Sequence, residues 1–168
     1  PGLIQQAIDD IIQYFDDNPN EKVFPLGPPD GMTRISEDPV SQSQIDKTRG
    51  FAGEFSNYVW GFINKVAIGV AKKHPTKYIS CLAYSRNQLP PSNIDRMSPN
   101  VIAGICFFRS MLPDPERRIK YNELIEGWKA KGCTLYRYEY YCNPFFDTKW
   151  QQYPMFFTKI LQEDMQNM

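Results

Sequence analysis

Residues Val101–Arg109, VIAGICFFR, are apolar throughout until the terminal arginine. A run this short and this uniformly apolar reads as a strand buried on both faces. That is the usual condition in a parallel sheet covered by its crossover connections. Parallel neighbours cannot be joined by tight hairpins, so a strand of this kind requires helices or long segments between it and its partners.

The remainder of the chain supplies them. Leu3, Ile4, Ala7, Ile8, Ile11, Ile12 and Phe15 recur at helical spacing and predict an amphipathic helix. It stops at Asn18-Pro19, because proline disfavours helical geometry in the residue before it. Val23 to Leu26 predicts a short strand, broken by Gly27-Pro28-Pro29-Asp30-Gly31. Met32 to Gly53 is polar and irregular, long for a connection in a compact domain. FSNYVWGFINKVAIGVAKKHP predicts a helix with Tyr58, Val59, Phe62, Ile63, Val66, Val70 and Ala71 inward and Ser56 or Asn57 as its cap. YISCLAYSR predicts a strand with Ser80, Leu82, Tyr84 and Arg86 on one face and Ile79, Cys81 and Ala83 on the other. A proline-rich connector leads to Val101–Arg109. RRIKYNELIEGWKAKG predicts a helix with Ile119, Leu124, Ile125 and Trp128 inward, closed by Gly132. TLYRYEYYCNPFF predicts a strand running into a loop, and PMFFTKILQEDMQNM a last helix.

The predicted order is α-β-α-β-β-α-β-α, an α/β fold with mainly parallel strands and right-handed crossovers. Four strands in this order match about half of a (β/α)8 TIM-like barrel. The expectation is one partial-barrel domain over residues 1–168, a fragment of a larger protein, since the first helix has no strand before it. A bare half-barrel exposes two sheet edges, so missing barrel segments or a second copy are expected to complete it. A doubly wound domain is disfavoured, because no GxGxxG-like loop follows any strand.

Nineteen basic residues balance nineteen acidic ones, so charge gives no argument for nucleic acid or an anionic membrane as partner. No apolar run approaches the roughly 20 residues of a membrane span. The four cysteines form no CxxC pair and the single histidine, His74, ends a helix. Structural zinc, multi-histidine metal sites and histidine triads are therefore not expected, and no cofactor is called for. Aromatics at 14% suit either a core or a surface that stacks on sugars.

In the last strand, Tyr136, Tyr138 and Tyr140 share one face and Leu135, Arg137, Glu139 and Tyr141 the other. The expectation is that the tyrosines pack under helices and the Arg/Glu face points into a site. All four strands end in polar residues: Asp30; Tyr84 and Arg86; Arg109; Arg137, Glu139 and Asn143. In a barrel these ends converge on one mouth. A carboxylate pair there is the minimum equipment for glycoside hydrolysis. Asp30 and Glu139 are the candidates, with arginines able to grip an acidic sugar bidentately. A salt-bridge network lining the mouth without catalysis is the competing reading.

VFPLGPPDG, KYISCLAYSRNQLPPSN, NVIAGICFFR and YNELIEGWKAKGCTLYRYEYYCNPF together resemble a bacterial domain-of-unknown-function family found in large polysaccharide-degradation proteins. Its barrel is similar to those of α-glucuronidases and β-hexosaminidases. The most telling pieces are Leu82-Ala83-Tyr84-Ser85 followed by Pro90-Pro91, and Tyr140-Tyr141-Cys142-Asn143. The resemblance implies a carbohydrate-active (β/α)8-type domain of a bacterial parent, periplasmic or secreted, acting on an oligosaccharide or polysaccharide. It places Asp30 on the acidic residue of the family's Pro-Asn-Asp-Gly turn, although Pro29 stands here where asparagine is usual. It places Tyr84 after the second strand and Glu139, Tyr141 and Asn143 on the acidic strand end. The expected activity is hydrolysis of a glycosidic bond. Glu139 would be the general acid and Asp30 the base or the group that orients the sugar, with Tyr84, Arg86, Arg109, Arg137, Tyr141 and Asn143 on the substrate. The alternative is a non-catalytic carbohydrate-binding module on an incomplete barrel.

Overall fold

The structure, a computed structural model, describes residues 2–108, 111–140 and 157–166. The elements in order are α1 (Gly2–Asp17), β1 (Val23–Pro25), α2 (Pro39–Gln42), α3 (Ser56–Ala71), β2 (Tyr78–Ala83), β3 (Val101–Phe108), α4 (Pro115–Ala130), β4 (Thr134–Tyr140) and α5 (Thr158–Gln166). Two 3-10 turns, Lys47–Arg49 and Ser85–Asn87, are also described. The strands form one sheet in the order β1-β2-β3-β4, and every pair is parallel. This is the predicted partial barrel-like α/β arrangement.

Register divides the sheet into two faces. Ile79, Val101, Cys81, Ala103, Ala83 and Ile105 line up on one face, and all are buried. α1, α3 and α4 pack against it in a single core that includes Phe15, Trp60, Ile63, Val66, Leu124 and Trp128. The other face carries Leu82, Tyr136 and Tyr138, each more than a third exposed. The apolar run of β3 therefore does not mark a sheet covered on both sides among the described residues. Its second face holds Ile102, Gly104 and Cys106 and looks toward a cleft. One-sided cover is what a barrel wall shows, with helices outside and the concave face inward.

Local chemistry accounts for the ends. Pro115 opens α4, and Asp114 caps it by accepting from the amides of Glu116 and Arg117. Lys131 follows α4, and Gly132 turns away at φ 71, a left-handed geometry that suits a residue without a side chain. α3 begins after Phe55 with no side-chain cap. The predicted cap Asn57 is engaged elsewhere, accepting from the Ser92 amide at 2.8 Å. α1 lies close on α3: a Cβ at Gly69 would sit 2.3 Å from Ile8 Cδ1. Ile119, expected inward, is 58% exposed, and Tyr121 takes its place in the packing. The polar stretch from Met32 to Gly53 holds α2 and a 3-10 turn, each begun by an aspartate, Asp38 and Asp46.

No helix joins β2 to β3. The connector of residues 84–100 replaces one by bonding to helices on both sides of it. Ser98 donates its amide to Asn64 Oδ1 at 2.7 Å, and Asn100 Nδ2 donates to the Ala67 carbonyl at 3.0 Å. Met97 donates its amide to the Lys131 carbonyl at 2.9 Å, and Lys131 Nζ donates to the Ile94 carbonyl.

Candidate functional site

A cleft of about 570 Å³ opens at the C-terminal ends of the strands. One wall is the turn Leu26–Met32 that follows β1, including Asp30. A second is the segment Tyr84–Asn87 that follows β2. The floor is the concave face of the sheet: Ser80, Leu82, Cys106, Tyr136, Tyr138 and Tyr140. Clefts outside the carboxyl ends of parallel strands are where α/β folds place ligands, because the connecting segments diverge there.

The tyrosines occupy the face expected for Arg137 and Glu139. Period-two alternation separates the residues of β4 into two sets but does not say which set meets the helices. Register decides it. Leu135 sits beside Ala103, Arg137 beside Ile105 and Glu139 beside Phe107, all on the helix side. Phe107 packs there on Tyr121 of α4, ring centroids 4.8 Å apart. Glu139 Oε2 is buried, and its charge adds to the effect of burial in raising the pKa of the Cys106 thiol. Leu135, the one aliphatic residue in the alternating run, shares its face with Arg137 and Glu139. It was the signal in the sequence that this face was the covered one.

Asp30 and Tyr84 reach the cleft as expected, and Arg86 lines it, but the Arg86 guanidinium is already held. It is paired with Glu54 and lies over the rings of Phe51 and Phe55, 5.1 and 5.2 Å from their centroids. Arg109, Tyr141 and Asn143 lie outside the described residues.

The Tyr136 ring lies over Gly104. A Cβ at Gly104 would come within 2.4 Å of its Cζ and 2.5 Å of its hydroxyl oxygen. The absence of a side chain at Gly104 is what lets the ring settle onto the backbone. Further along, Tyr140 stacks on Phe108 at 4.6 Å and meets Tyr138 edge-on at 5.5 Å. Burial pushes the Tyr136 and Tyr140 hydroxyls above the ordinary phenol range, and at Tyr140 the nearby charge of Asp30 adds to this. They face the cleft as neutral hydroxyls that both donate and accept.

The wall after β2 is tightly anchored. Ser85 stands at φ 52, a left-handed geometry disfavoured for a residue with a side chain. Such a residue persists only where its surroundings over-determine it. Here Trp60 Nε1 donates to the Asn87 carbonyl at 2.8 Å, and Trp128 Nε1 donates to the next carbonyl, Gln88, at 2.9 Å. Asn87 Nδ2 donates back to the Leu82 carbonyl, and Gln88 Nε2 to that of Cys106.

The thiols beneath the cleft are inert by burial. Cys81 and Cys106 are pushed up to about 12 from an ordinary 9.0, chiefly by desolvation. Both groups hold their protons more tightly when folded. Their contribution to stability is complete below about pH 9 and is lost as pH rises toward 12. Denaturation midpoints are expected to fall over that alkaline interval, and the fall to shrink in a Cys81→Ala/Cys106→Ala variant. An equal fall in both proteins would assign it to other groups.

No curated protein and no solved structure matches the chain. The family comparison does identify it: the model described as Domain of unknown function (DUF4838) matches residues 1–168, and the chain belongs to that family.

Proposed function

We propose that the cleft binds carbohydrate, in keeping with the polysaccharide-degradation setting that the resemblance implies. The observation that carries this reading is the floor, where Tyr136, Tyr138 and Tyr140 alternate along β4 and line the cleft, the first two well exposed. A pyranose ring has apolar C–H faces and a polar rim. Tyrosine offers the matching pair, a π face of negative quadrupole and a hydroxyl at its edge. A concave site with aromatic walls and a few polar groups is the general form of a small-ligand site.

Binding without hydrolysis is the form that the geometry favours. Hydrolysis by two carboxylates needs both groups flanking one bond, roughly 5 to 9.5 Å apart. Asp30 is the only carboxylate that lines the cleft among the described residues, and Glu139 faces the helices. A hydrolytic site would need a second acid from elsewhere.

Isothermal titration against a panel of neutral and charged oligosaccharides tests the proposal. Tyr136→Ala and Tyr138→Ala are each expected to weaken binding about tenfold, the loss of one stacked ring. Glu139→Gln is expected to leave affinity unchanged. Saccharide binding that neither tyrosine variant weakens would overturn the assignment to this cleft. The same mixtures, followed for new reducing ends, report hydrolysis. Release abolished by Asp30→Asn would establish a catalytic site.

A further inference from the structure

Resting on the carbohydrate reading, we propose that the cleft selects against uronates and takes pyranose units that are uncharged at C6. The argument concerns what is available to meet a carboxylate. Recognition of a sugar acid normally uses an arginine fork, whose planar N–H groups match the two carboxylate oxygens. Arg86 is the only cation that lines the cleft among the described residues.

Arg86 is not free to do this. Its Nη1 donates to Glu54 Oε1, and two aromatic rings cover its guanidinium. The pair is largely buried, with the Glu54 side chain 16% exposed and that of Arg86 27%. Turning Arg86 toward a ligand would leave Glu54 as a charge with no partner in a poorly solvated place, which is a costly exchange. The Arg86 carbonyl is bound as well, accepting from the Phe55 amide at 3.0 Å, so the backbone cannot easily swing.

What remains is of the opposite sign. Asp30 stands on the wall with no described cation paired to it. Its field reaches across the cleft to Tyr140, whose hydroxyl it helps to keep protonated. The pair Arg86–Glu54 is neutral in sum, so the described part of the lining carries a net negative charge. The other polar side chains of the described lining are uncharged, among them the hydroxyls of Ser80, Tyr84, Tyr136 and Tyr138 and the amide of Asn87. A hydroxymethyl group is accommodated by such a surface, whereas a carboxylate meets repulsion and must shed water without compensation.

The experiment compares hexamers that differ only at C6: β-1,4-linked glucose against β-1,4-linked glucuronate, and β-1,4-linked mannose against β-1,4-linked mannuronate. The full chain is titrated with each at low ionic strength. The neutral member of a pair is expected to bind about tenfold or more tightly, and the gap to narrow in salt as the repulsion is screened. Asp30→Asn is expected to close most of the gap by raising uronate affinity relative to that of the neutral partner. A uronate that binds as well as or better than its neutral counterpart overturns this inference and leaves the carbohydrate reading standing. Binding of no hexamer of either kind overturns the carbohydrate reading, and the inference falls with it. A gap that survives Asp30→Asn unchanged overturns the electrostatic cause.

Discussion

Replacing Trp128 by alanine is expected to cost about 3–5 kcal/mol of stability, the range for truncating a fully buried aromatic side chain. Trp128 has no exposed surface and meets Trp60 edge-on, with centroids 4.5 Å apart. Its removal opens a cavity beside Trp60 and leaves the Gln88 carbonyl without its donor. Folded domains are held by only about 5–15 kcal/mol in total, so the loss is a large fraction of the whole. Urea denaturation followed by tryptophan fluorescence measures it. Trp128→Phe separates the two contributions, since it keeps most of the volume and removes only the indole N–H. It is expected to cost about 1–3 kcal/mol and to loosen the wall after β2. An alanine variant within about 1 kcal/mol of wild type would contradict the packing described here.

The second large effect is expected at Gly104. Gly104→Val places branched carbon where the Tyr136 ring now lies, with the first added atom 2.4 Å from Cζ. The ring must lift off the sheet, since β3 is central and cannot retreat. Overpacking of this kind costs about 1–3 kcal/mol. Carbohydrate affinity is expected to fall at least about tenfold, matching Tyr136→Ala. A double-mutant cycle makes the test specific. If Gly104 acts by seating Tyr136, then Gly104→Ala weakens binding in the wild-type background and has little further effect once Tyr136 is alanine. Full additivity of the two losses would show that Gly104 matters for some other reason.

The fold was readable because apolar spacing and proline breaks act locally. The stripe from Leu3 to Phe15 stops α1 at Asp17, next to the Asn18-Pro19 break. The apolar run of β3 required parallel neighbours and has them on both sides. The face of β4 was misread because alternation is symmetric under exchange of its two sides. Charges were assigned to the opening and rings to the core on general preference. What decides the matter is register with β3, a contact between residues 32 apart in sequence. Arg86 was misread for a related reason. Nothing near it in sequence announces that Glu54, Phe51 and Phe55 fold back onto its head group. Asp30 was placed correctly because a proline-glycine turn at a strand end has few places to go. The stretch around Asp38 and Asp46 was read as irregular because each aspartate starts an element too short to show a period.

The connector between β2 and β3 bears on the order in which the molecule assembles. Its partners Asn64 and Ala67 come before it in the chain, whereas Trp128 and Lys131 come after. Its full set of bonds is complete only once the last of these has been synthesised and has docked. Distant closures of this sort are slow, because the entropy of a long loop is spent before any contact repays it. The wall of the cleft that holds Tyr84 and Ser85 is therefore tied first to Glu54, Phe55 and Trp60, which precede it, and gains its last anchor from Trp128, far later in the chain.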